Sequence, residues 1–203
     1  MHFFTAYQPS KYTHKLSPIS NISLIVTLIT FSSLFGANWE LDHKKSHIRF
    51  SGSHAGVTFT GNFPSFTGDI YFEDQNIEKT QATISIALNQ VVVSDYYYQE
   101  TLLTEDWFNV KNHPQAQFEL QQLKAHSNEA FTHTAVGKLT LRGISKTLRI
   151  PLKLSTKDDQ AFLDASVKIN RSDFKIGMES DPDGSWVSKF ITVDIKLVAK
   201  ALA

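Results

Sequence analysis

The chain has 203 residues, of which 41% are hydrophobic and 12% aromatic, and its formal net charge at pH 7 is zero. This apolar content supports one domain with a substantial core and argues against intrinsic disorder. The dispersed basic residues argue against a nucleic-acid-binding protein. The sequence contains no cysteine, which excludes disulfide bonds and thiolate metal ligands.

The N-terminal leader has the composition of an export signal. A basic, polar stretch at residues 2–15 leads into an apolar segment at residues 19–34 and then into small residues at Gly36 and Ala37. This is the order typical of a secretory signal peptide. All 20 acidic residues lie at or after Glu40, so the leader carries only positive charge.

Two alternatives are open for this leader. Its most apolar part, residues 24–35, is shorter than the roughly 20 residues that cross a bilayer, which favours a cleaved signal peptide. Cleavage after Gly36 would put Leu34, and cleavage after Ala37 would put Phe35, at a position before the cut that usually holds a small side chain. This mismatch favours a retained inner-membrane anchor. In either case the sequence predicts that residues 1–37 direct export to the periplasm and that residues 38–203 form one domain.

From Asn38 onward, apolar and polar residues alternate with a period of two, which predicts antiparallel strands with one buried face. The clearest case is residues 148–154, where leucine and isoleucine alternate with Arg149, Pro151 and Lys153. The predicted strands, in chain order, cover residues 39–50, 58–63, 66–72, 82–93, 118–120, 136–141, 148–154, 162–169 and 191–199.

One segment departs from this alternation. Ser94 or Asp95 can cap a short helix, and Tyr98 and Leu102, which are four residues apart, give that helix one apolar edge. A sheet of about eight antiparallel strands either packs as a sandwich or closes into a barrel whose interior admits one slender ligand. We therefore expect function inside the barrel, with the helix at one end.

Polar clusters in the sequence do not predict a metal or catalytic site. His43 and His47 would share one face of a strand, but they would stand about 13 Å apart at about 3.3 Å per residue, too far for one ion. The aspartates of residues 181–184 are interpreted as turn residues, and the adjacent Glu105 and Asp106 as solvated charge. No nucleophile elbow, P-loop or dinucleotide-binding motif occurs.

Several short motifs follow one another along the domain. In chain order they are Trp39-Glu40-Leu41-Asp42 with Ser46-His47-Ile48-Arg49-Phe50, Gly61-Asn62-Phe63 with Phe66-Thr67-Gly68, Asp106-Trp107-Phe108-Asn109-Val110 with His113-Pro114 and Phe118, the hairpin Gly137–Lys146, and Arg171-Ser172-Asp173-Phe174. Together they resemble the YceI-like family of exported polyisoprenoid-binding proteins. The resemblance implies an all-β, eight-stranded antiparallel, lipocalin-like β-barrel with a short helix covering one end. It implies no catalytic residue.

The leading hypothesis is a periplasmic barrel that binds an isoprenoid-type chain, such as a polyprenyl carrier or a quinone tail, for storage or transfer. No cofactor or metal is expected, and a transient membrane contact and a homodimer are left open. The predicted ligand contacts come from the apolar phase of the strands and from neighbouring aromatic residues: Phe50, Phe63, Phe72, Ile84, Ile86, Phe108, Phe118, Leu139, Leu141, Ile150, Leu152, Val167, Ile169, Val193 and Ile195.

Three alternatives accompany this hypothesis. The many aromatic residues could be ordinary core packing. An isomerase or cyclase acting on an apolar substrate would need a buried titratable pair facing the lumen, with His47, His54, Asp164 and Arg171 as candidates. An outer-membrane barrel would show aromatic girdles at fixed spacing, whereas these strands alternate with charges on their second face.

Overall fold

The computed structural model of the protein describes residues 37–126 and 130–202. The predicted export leader, apart from Ala37, lies outside these residues. Among the described residues, no helix is both long enough and apolar enough to cross a membrane.

Strands dominate the described part of the chain, with one α-helix between the sixth and seventh strands. The strands are β1 (Ala37–Leu41), β2 (His47–His54), β3 (Val57–Asn62), β4 (Phe66–Phe72), β5 (Gln81–Ala87), β6 (Val92–Val93), β7 (Gln115–Ala125), β8 (His133–Leu141), β9 (Ile144–Lys157), β10 (Gln160–Asn170) and β11 (Phe190–Ala201), and the helix is α1 (Tyr96–Leu103).

These strands occupy eight positions in one closed antiparallel barrel. The pairs β1 and β2, β3 and β4, and β5 and β6 are each one barrel strand with a break in it. Both β1 and β2 pair with β11 on one side, and on the other side they pair with β4 and β3, which in turn pair with β5 and β6. Strands β7 to β11 follow in chain order, and pairing of β11 with β1 closes the ring. The predicted eight-stranded antiparallel barrel is confirmed.

Strand β9 shows why this sequence forms a barrel. Leu148, Ile150, Leu152 and Leu154 face the interior, and the residues between them are exposed. Successive side chains of a strand point to opposite faces, so this alternation makes one face apolar and the other polar. Strands β10 and β11 repeat the pattern, and the apolar faces of the closed sheet form the core.

Two strands predicted as continuous are interrupted. The predicted strand at residues 39–50 breaks after β1, where a carboxylate oxygen of Asp42 accepts a hydrogen bond from the N–H of Lys44 (3.0 Å). The predicted strand at residues 82–93 breaks at a 3-10 turn, Leu88–Gln90, whose first residue is only 1% exposed. Both predictions of continuity were wrong, because a local turn and the burial of one leucine override the alternation.

Helix α1 begins at the predicted cap. The side chain of Asp95 accepts hydrogen bonds from the N–H groups of Tyr97 (2.8 Å) and Tyr98 (3.2 Å). These two donors have no partner within the helix itself, so the cap stabilises its first turn.

The end of the barrel next to α1 is closed mainly by two connecting segments. Residues 104–114 and 171–189 pass over this end and contribute Phe108, Phe174 and Ile176, which are 8%, 1% and 4% exposed. We call this the capped end, and the two connecting segments that close it the cap. The helix predicted to cover it lies at its edge and shares the role with these segments.

Candidate functional site

The barrel interior contains two adjoining apolar cavities. The larger, of about 210 Å³, lies between the middle of the barrel and the end opposite the cap. The smaller, of about 120 Å³, lies under the cap. Both cavities are lined by Ile48, Ile86, Leu139, Ile169 and Val193. One layer of side chains is therefore common to the two cavities, which together extend through most of the barrel.

Every residue predicted to contact a ligand lies on the wall of these cavities. Phe72, Ile84, Phe118, Ile150, Leu152, Val167 and Ile195 line the larger cavity, Phe50, Phe63, Phe108 and Leu141 line the smaller one, and Ile86, Leu139, Ile169 and Val193 line both. Their contact with a ligand stays a prediction.

The wall contains further residues that the sequence analysis missed. Some share the apolar phase of a predicted strand and could have been found from it, namely Ile48, Ile70, Leu88, Leu120, Leu148, Leu154, Leu163, Ile191 and Leu197. Trp39, Leu41 and Leu123 are out of phase with the predicted strands, because the chain breaks after β1 and a bulge interrupts β7 between Leu120 and Gln122. Others, namely Leu102, Trp107, Ile176 and Val187, come from the helix and the connecting segments. The three in the connecting segments carry no periodic signal, so only the folded chain identifies them.

Two glycines allow aromatic rings to lie flat against the wall. A Cβ placed on Gly137 would stand 2.3 Å from Cζ of Phe118, and a Cβ on Gly61 would stand 2.3 Å from Cζ of Phe50. Each ring therefore lies across a glycine of the neighbouring strand, an arrangement that fills the gap left by the missing side chain. The ring of Phe118 forms part of the wall of the larger cavity, and the ring of Phe50 part of the wall of the smaller one.

A buried ion pair holds the cap over the smaller cavity. Arg171 and Asp181 are 2% and 4% exposed, and Nη2 of the arginine donates to a carboxylate oxygen of the aspartate (2.6 Å). The same guanidinium donates to the carbonyl oxygens of Ile176 (2.7 Å), Gly177 (3.3 Å) and Val187 (3.1 Å). One side chain thereby fixes the loop from residue 176 to residue 187.

The carboxylate of Asp181 is held ionised by its surroundings. Burial by itself raises the pKa of Asp181, but hydrogen bonds from the N–H groups of Val187 and Trp186, together with the charge of Arg171, outweigh burial and lower the pKa below its ordinary value. Residues 181–184 do form a turn, as predicted. The sequence analysis did not predict that the side chain of Asp181 is in addition buried and paired with Arg171.

A second carboxylate joins the two connecting segments of the cap. Asp106 accepts hydrogen bonds from the N–H of Glu179 (2.9 Å) and from the N–H (3.0 Å) and hydroxyl (2.6 Å) of Ser180. Burial raises the pKa of Asp106, but these hydrogen bonds and the nearby Arg142 lower it below its ordinary value. The interpretation of Asp106 as solvated charge was therefore wrong.

A third cavity, of about 170 Å³, lies between α1 and the hairpin of β2 and β3. We call it the vestibule; its walls are His54, Phe59, Val93, Tyr98, Thr101, Leu102, Trp107 and Val187. Phe59, Leu102, Trp107 and Val187 also line the smaller inner cavity. The vestibule and the smaller cavity therefore adjoin at these four shared side chains, which we call the neck.

Two aromatic contacts close the outer side of the vestibule. Nδ1 of His54 and the hydroxyl of Tyr98 share a hydrogen bond of 2.9 Å. The His54 ring also stacks on Trp186, with 6.2 Å between ring centroids, and Trp186 is 62% exposed. A ligand that enters by this route must displace the pair of His54 and Tyr98.

The titratable residues considered for an enzyme are not arranged as an acid and base pair in the lumen. His47 and Asp164 lie together on the outer surface of the barrel, where burial and the charges of Arg49 and Lys196 lower the pKa of His47. His54 lines the vestibule, and Arg171 lines the smaller cavity, but a guanidinium does not give up its proton in proteins. Within residues 37–126 and 130–202, no three histidine, aspartate or glutamate side chains converge on a metal site.

This fold and site define a closed antiparallel barrel of the lipocalin type with an apolar lumen. The profile of the YceI-like domain matches residues 39–199, and the chain belongs to that family.

Comparison with known proteins agrees with this assignment. The chain is 26% identical over 185 residues to a UPF0312 protein of Pseudomonas aeruginosa, with 87% of this chain and 95% of the relative covered. It is also 26% identical over 182 residues to a UPF0312 protein of Yersinia pestis, with 85% and 93% covered. These relatives match nearly over their full length.

Solved structures show the same fold. BcnA of Burkholderia cenocepacia superposes with a TM-score of 0.74 at 24% identity, covering 79% of this chain and all of BcnA. A polyisoprenoid binding domain from Saccharophagus degradans superposes with a TM-score of 0.63 at 16% identity, covering 82% of this chain and 99% of that domain.

Proposed function

We propose that the barrel binds the hydrocarbon chain of an isoprenoid-type lipid, such as a quinone tail or a polyprenyl carrier, and shields it from water during storage or transfer. The observation that carries this proposal is the lumen itself, two adjoining cavities whose walls are apolar side chains from every barrel strand together with Thr80 and Arg171. Membership of the YceI-like family and the fold shared with a polyisoprenoid binding domain support it.

The size of the lumen sets the length of chain it can hold. An engineered apolar cavity of about 150 Å³ binds one benzene molecule. At that ratio, cavities of about 210 and 120 Å³ hold on the order of a dozen carbon atoms, which is between two and three five-carbon prenyl units. The remainder of a longer chain, or its head group, would extend into the vestibule.

The energetics are sufficient without a charged anchor. At about 0.8 kcal/mol per buried CH₂, each five-carbon unit contributes roughly 4 kcal/mol before the cost of ordering the chain is subtracted. A buried chain of two or three units is therefore enough for tight binding.

The first experiment identifies the lipid that the protein carries. The full chain is produced in a bacterial host, purified and extracted with organic solvent, and the extract is analysed by mass spectrometry. A stoichiometric prenyl lipid or quinone would support the proposal. Protein that carries no such lipid, and that also fails to take up a prenyl alcohol when one is offered, would contradict it.

Affinity should depend on chain length in a way that reflects the lumen. For prenyl alcohols of one, two, three and four units, we expect the dissociation constant to fall at least tenfold per added unit up to about three units, because each unit buries further apolar surface. A fourth unit should add little. Isothermal titration or competition with a fluorescent lipid measures this series, and an affinity that stops rising after one unit would contradict the proposed lumen.

Removing the hydroxyl of Tyr98 should speed ligand exchange through the vestibule. Tyr98→Phe keeps the ring contacts with His54 and Phe59 but loses the hydrogen bond to His54. Since one such bond contributes about 0.5–1.5 kcal/mol, dissociation should be roughly twofold to tenfold faster. Stopped-flow dissociation of a fluorescent lipid measures the rate. Tyr71→Phe, which changes a residue outside the vestibule, is the control, and equal rates in all three proteins would rule out this route.

The leader supports a periplasmic location for this function. A basic stretch, an apolar segment and then small residues follow one another in the leader, and this is the order found in export signals. Recovery of the protein by osmotic shock would support export, whereas recovery in the cytoplasmic fraction would contradict it.

A further inference from the structure

The cavity walls contain one charged side chain whose hydrogen-bonding capacity is incompletely used. Among the described residues that line the two inner cavities, Arg171 is the only charged one. Its side chain is 2% exposed, and both Nη atoms donate to the cap. Its Nε–H finds no acceptor. A buried donor without a partner is unfavourable, so an acceptor placed there would be stabilised.

Arg171 stands at the neck between the lumen and the vestibule. Its guanidinium carbon lies 5.7 Å from the centre of the Trp107 ring, and Nη2 donates to the carbonyl oxygen of Val187 (3.1 Å). Trp107 and Val187 line both the smaller cavity and the vestibule. A chain whose tail fills the lumen from this side would bring its head group to the same place.

The charge balance at this position discriminates between head groups. Asp181, 2.6 Å away, already neutralises Arg171. Among the residues that the structure describes, none in the wall of the larger cavity carries a charge, and His54 is the only side chain of the vestibule wall that can carry a positive one. A carboxylate or phosphate would therefore compete with Asp181 for one cation in a poorly solvated site. A neutral carbonyl would satisfy the Nε–H without adding charge.

We propose that the Nε–H of Arg171 donates a hydrogen bond to an oxygen in the head of the bound lipid, and that the site selects a neutral head group with an acceptor oxygen. Ketone, quinone and amide carbonyls belong to this class, and carboxylates and phosphates do not. This inference rests on the proposed function, because it assumes that the tail occupies the lumen.

The test uses ligands that differ only in the head. Pentadecan-2-one, pentadecane, pentadecanoate and pentadecyl phosphate are titrated into the isotopically labelled full chain, and NMR follows the methyl groups of Leu139 and Val193 together with the arginine Nε–H signals. The sequence has four arginines, and substitution of Arg49, Arg142 or Arg149 by lysine assigns the signals. Arg142 is the internal control, because its Nε–H is also buried without an acceptor but lines none of these cavities.

We expect the ketone to shift the Nε–H signal of Arg171 and to bind at least fivefold more tightly than the alkane, the carboxylate or the phosphate. The alkane should shift the methyl signals alone, and the Arg142 signal should not move. Tighter binding of the carboxylate or phosphate, or methyl shifts with the ketone but no change at Arg171, would overturn this inference and leave lipid binding intact. Absence of methyl shifts with every ligand would overturn the proposed function and the inference with it.

A second variant tests at which end of the lumen the head group lies. Thr80 lines the larger cavity, and its hydroxyl is also buried without a partner, so it offers the alternative position for a head group. Thr80→Val should leave the preference for the ketone unchanged. Loss of that preference in Thr80→Val would place the head at the opposite end and overturn the assignment to Arg171.

Discussion

Filling the larger cavity with an aromatic ring is expected to abolish lipid binding without unfolding the barrel. Ala165 lies on β10 in the wall of this cavity, so the ring of Ala165→Phe would occupy space that the chain requires. Displacing one five-carbon unit removes roughly 4 kcal/mol of burial, which corresponds to about three orders of magnitude in affinity. Titration with a three-unit prenyl alcohol measures the loss.

The neighbouring residue provides a matched control. Ser166 follows Ala165 on the same strand but faces solvent, where its hydroxyl donates to Asp194 (2.7 Å). Ser166→Phe adds the same ring outside the barrel and should bind lipid as the unmodified protein does. Ala165→Leu adds a smaller side chain and should cause an intermediate loss of lipid affinity. This variant still tests the prediction if the larger Phe ring destabilises the barrel by overpacking. Unchanged affinity in a folded Ala165→Phe protein would show that the chain does not occupy this cavity.

Breaking the ion pair in the cap is expected to cause the largest loss of stability. Asp181→Asn leaves the guanidinium of Arg171 buried without its counter-charge and weakens the acceptor for the N–H groups of Trp186 and Val187. Removing one partner of a buried pair typically lowers the free energy of unfolding by about 3–5 kcal/mol. Chemical denaturation at neutral pH measures the change, and a loss below about 1 kcal/mol would contradict the role assigned to the pair.

The lowered pKa of Asp181 predicts how the stability of the folded protein changes with pH. Because the pKa of Asp181 is lower in the folded protein than the ordinary value of 3.8, its contribution to stability is fully present above that value. It is lost as the pH falls through the lower folded pKa. The unmodified protein should therefore lose stability on acidification, and Asp181→Asn should lose less over the same range. Asp183→Asn, an exposed change in the same turn, should behave nearly as the unmodified protein.

The antiparallel strands and the apolar composition of the wall could be predicted from alternation alone, whereas a closed barrel rather than a sandwich was predicted from the resemblance to the YceI-like family. In a strand, side-chain direction reverses at each residue, so the apolar phase of β5 and β9 identifies Ile84 and Ile150 as inward-facing without knowledge of the neighbouring strands. The N-terminal cap of helix α1 at Asp95 could also be predicted, because helix capping depends on residues within a few positions of one another.

The organisation of the capped end could not be predicted in this way. Asp106 accepts hydrogen bonds from Ser180, which is 74 positions away, and the loop that Arg171 holds has no periodic pattern. In the sequence, Asp106 and Asp181 resemble the solvated or turn aspartates that are common in loops. Their roles depend on which distant backbone groups fold against them.

The sequence by itself therefore determined the antiparallel all-β class, the apolar character of one strand face and most of the strand-borne wall, because these follow from a local period of two. Only the tertiary structure decided where the strands break, how Phe174 and Ile176 close one end and how Trp107 comes to lie in the wall shared by the smaller cavity and the vestibule. It also decided that Arg171, the one charged side chain among the described wall residues, is paired with Asp181 while its Nε–H has no acceptor. These features arise from contacts between segments far apart in the chain, which a local pattern does not encode.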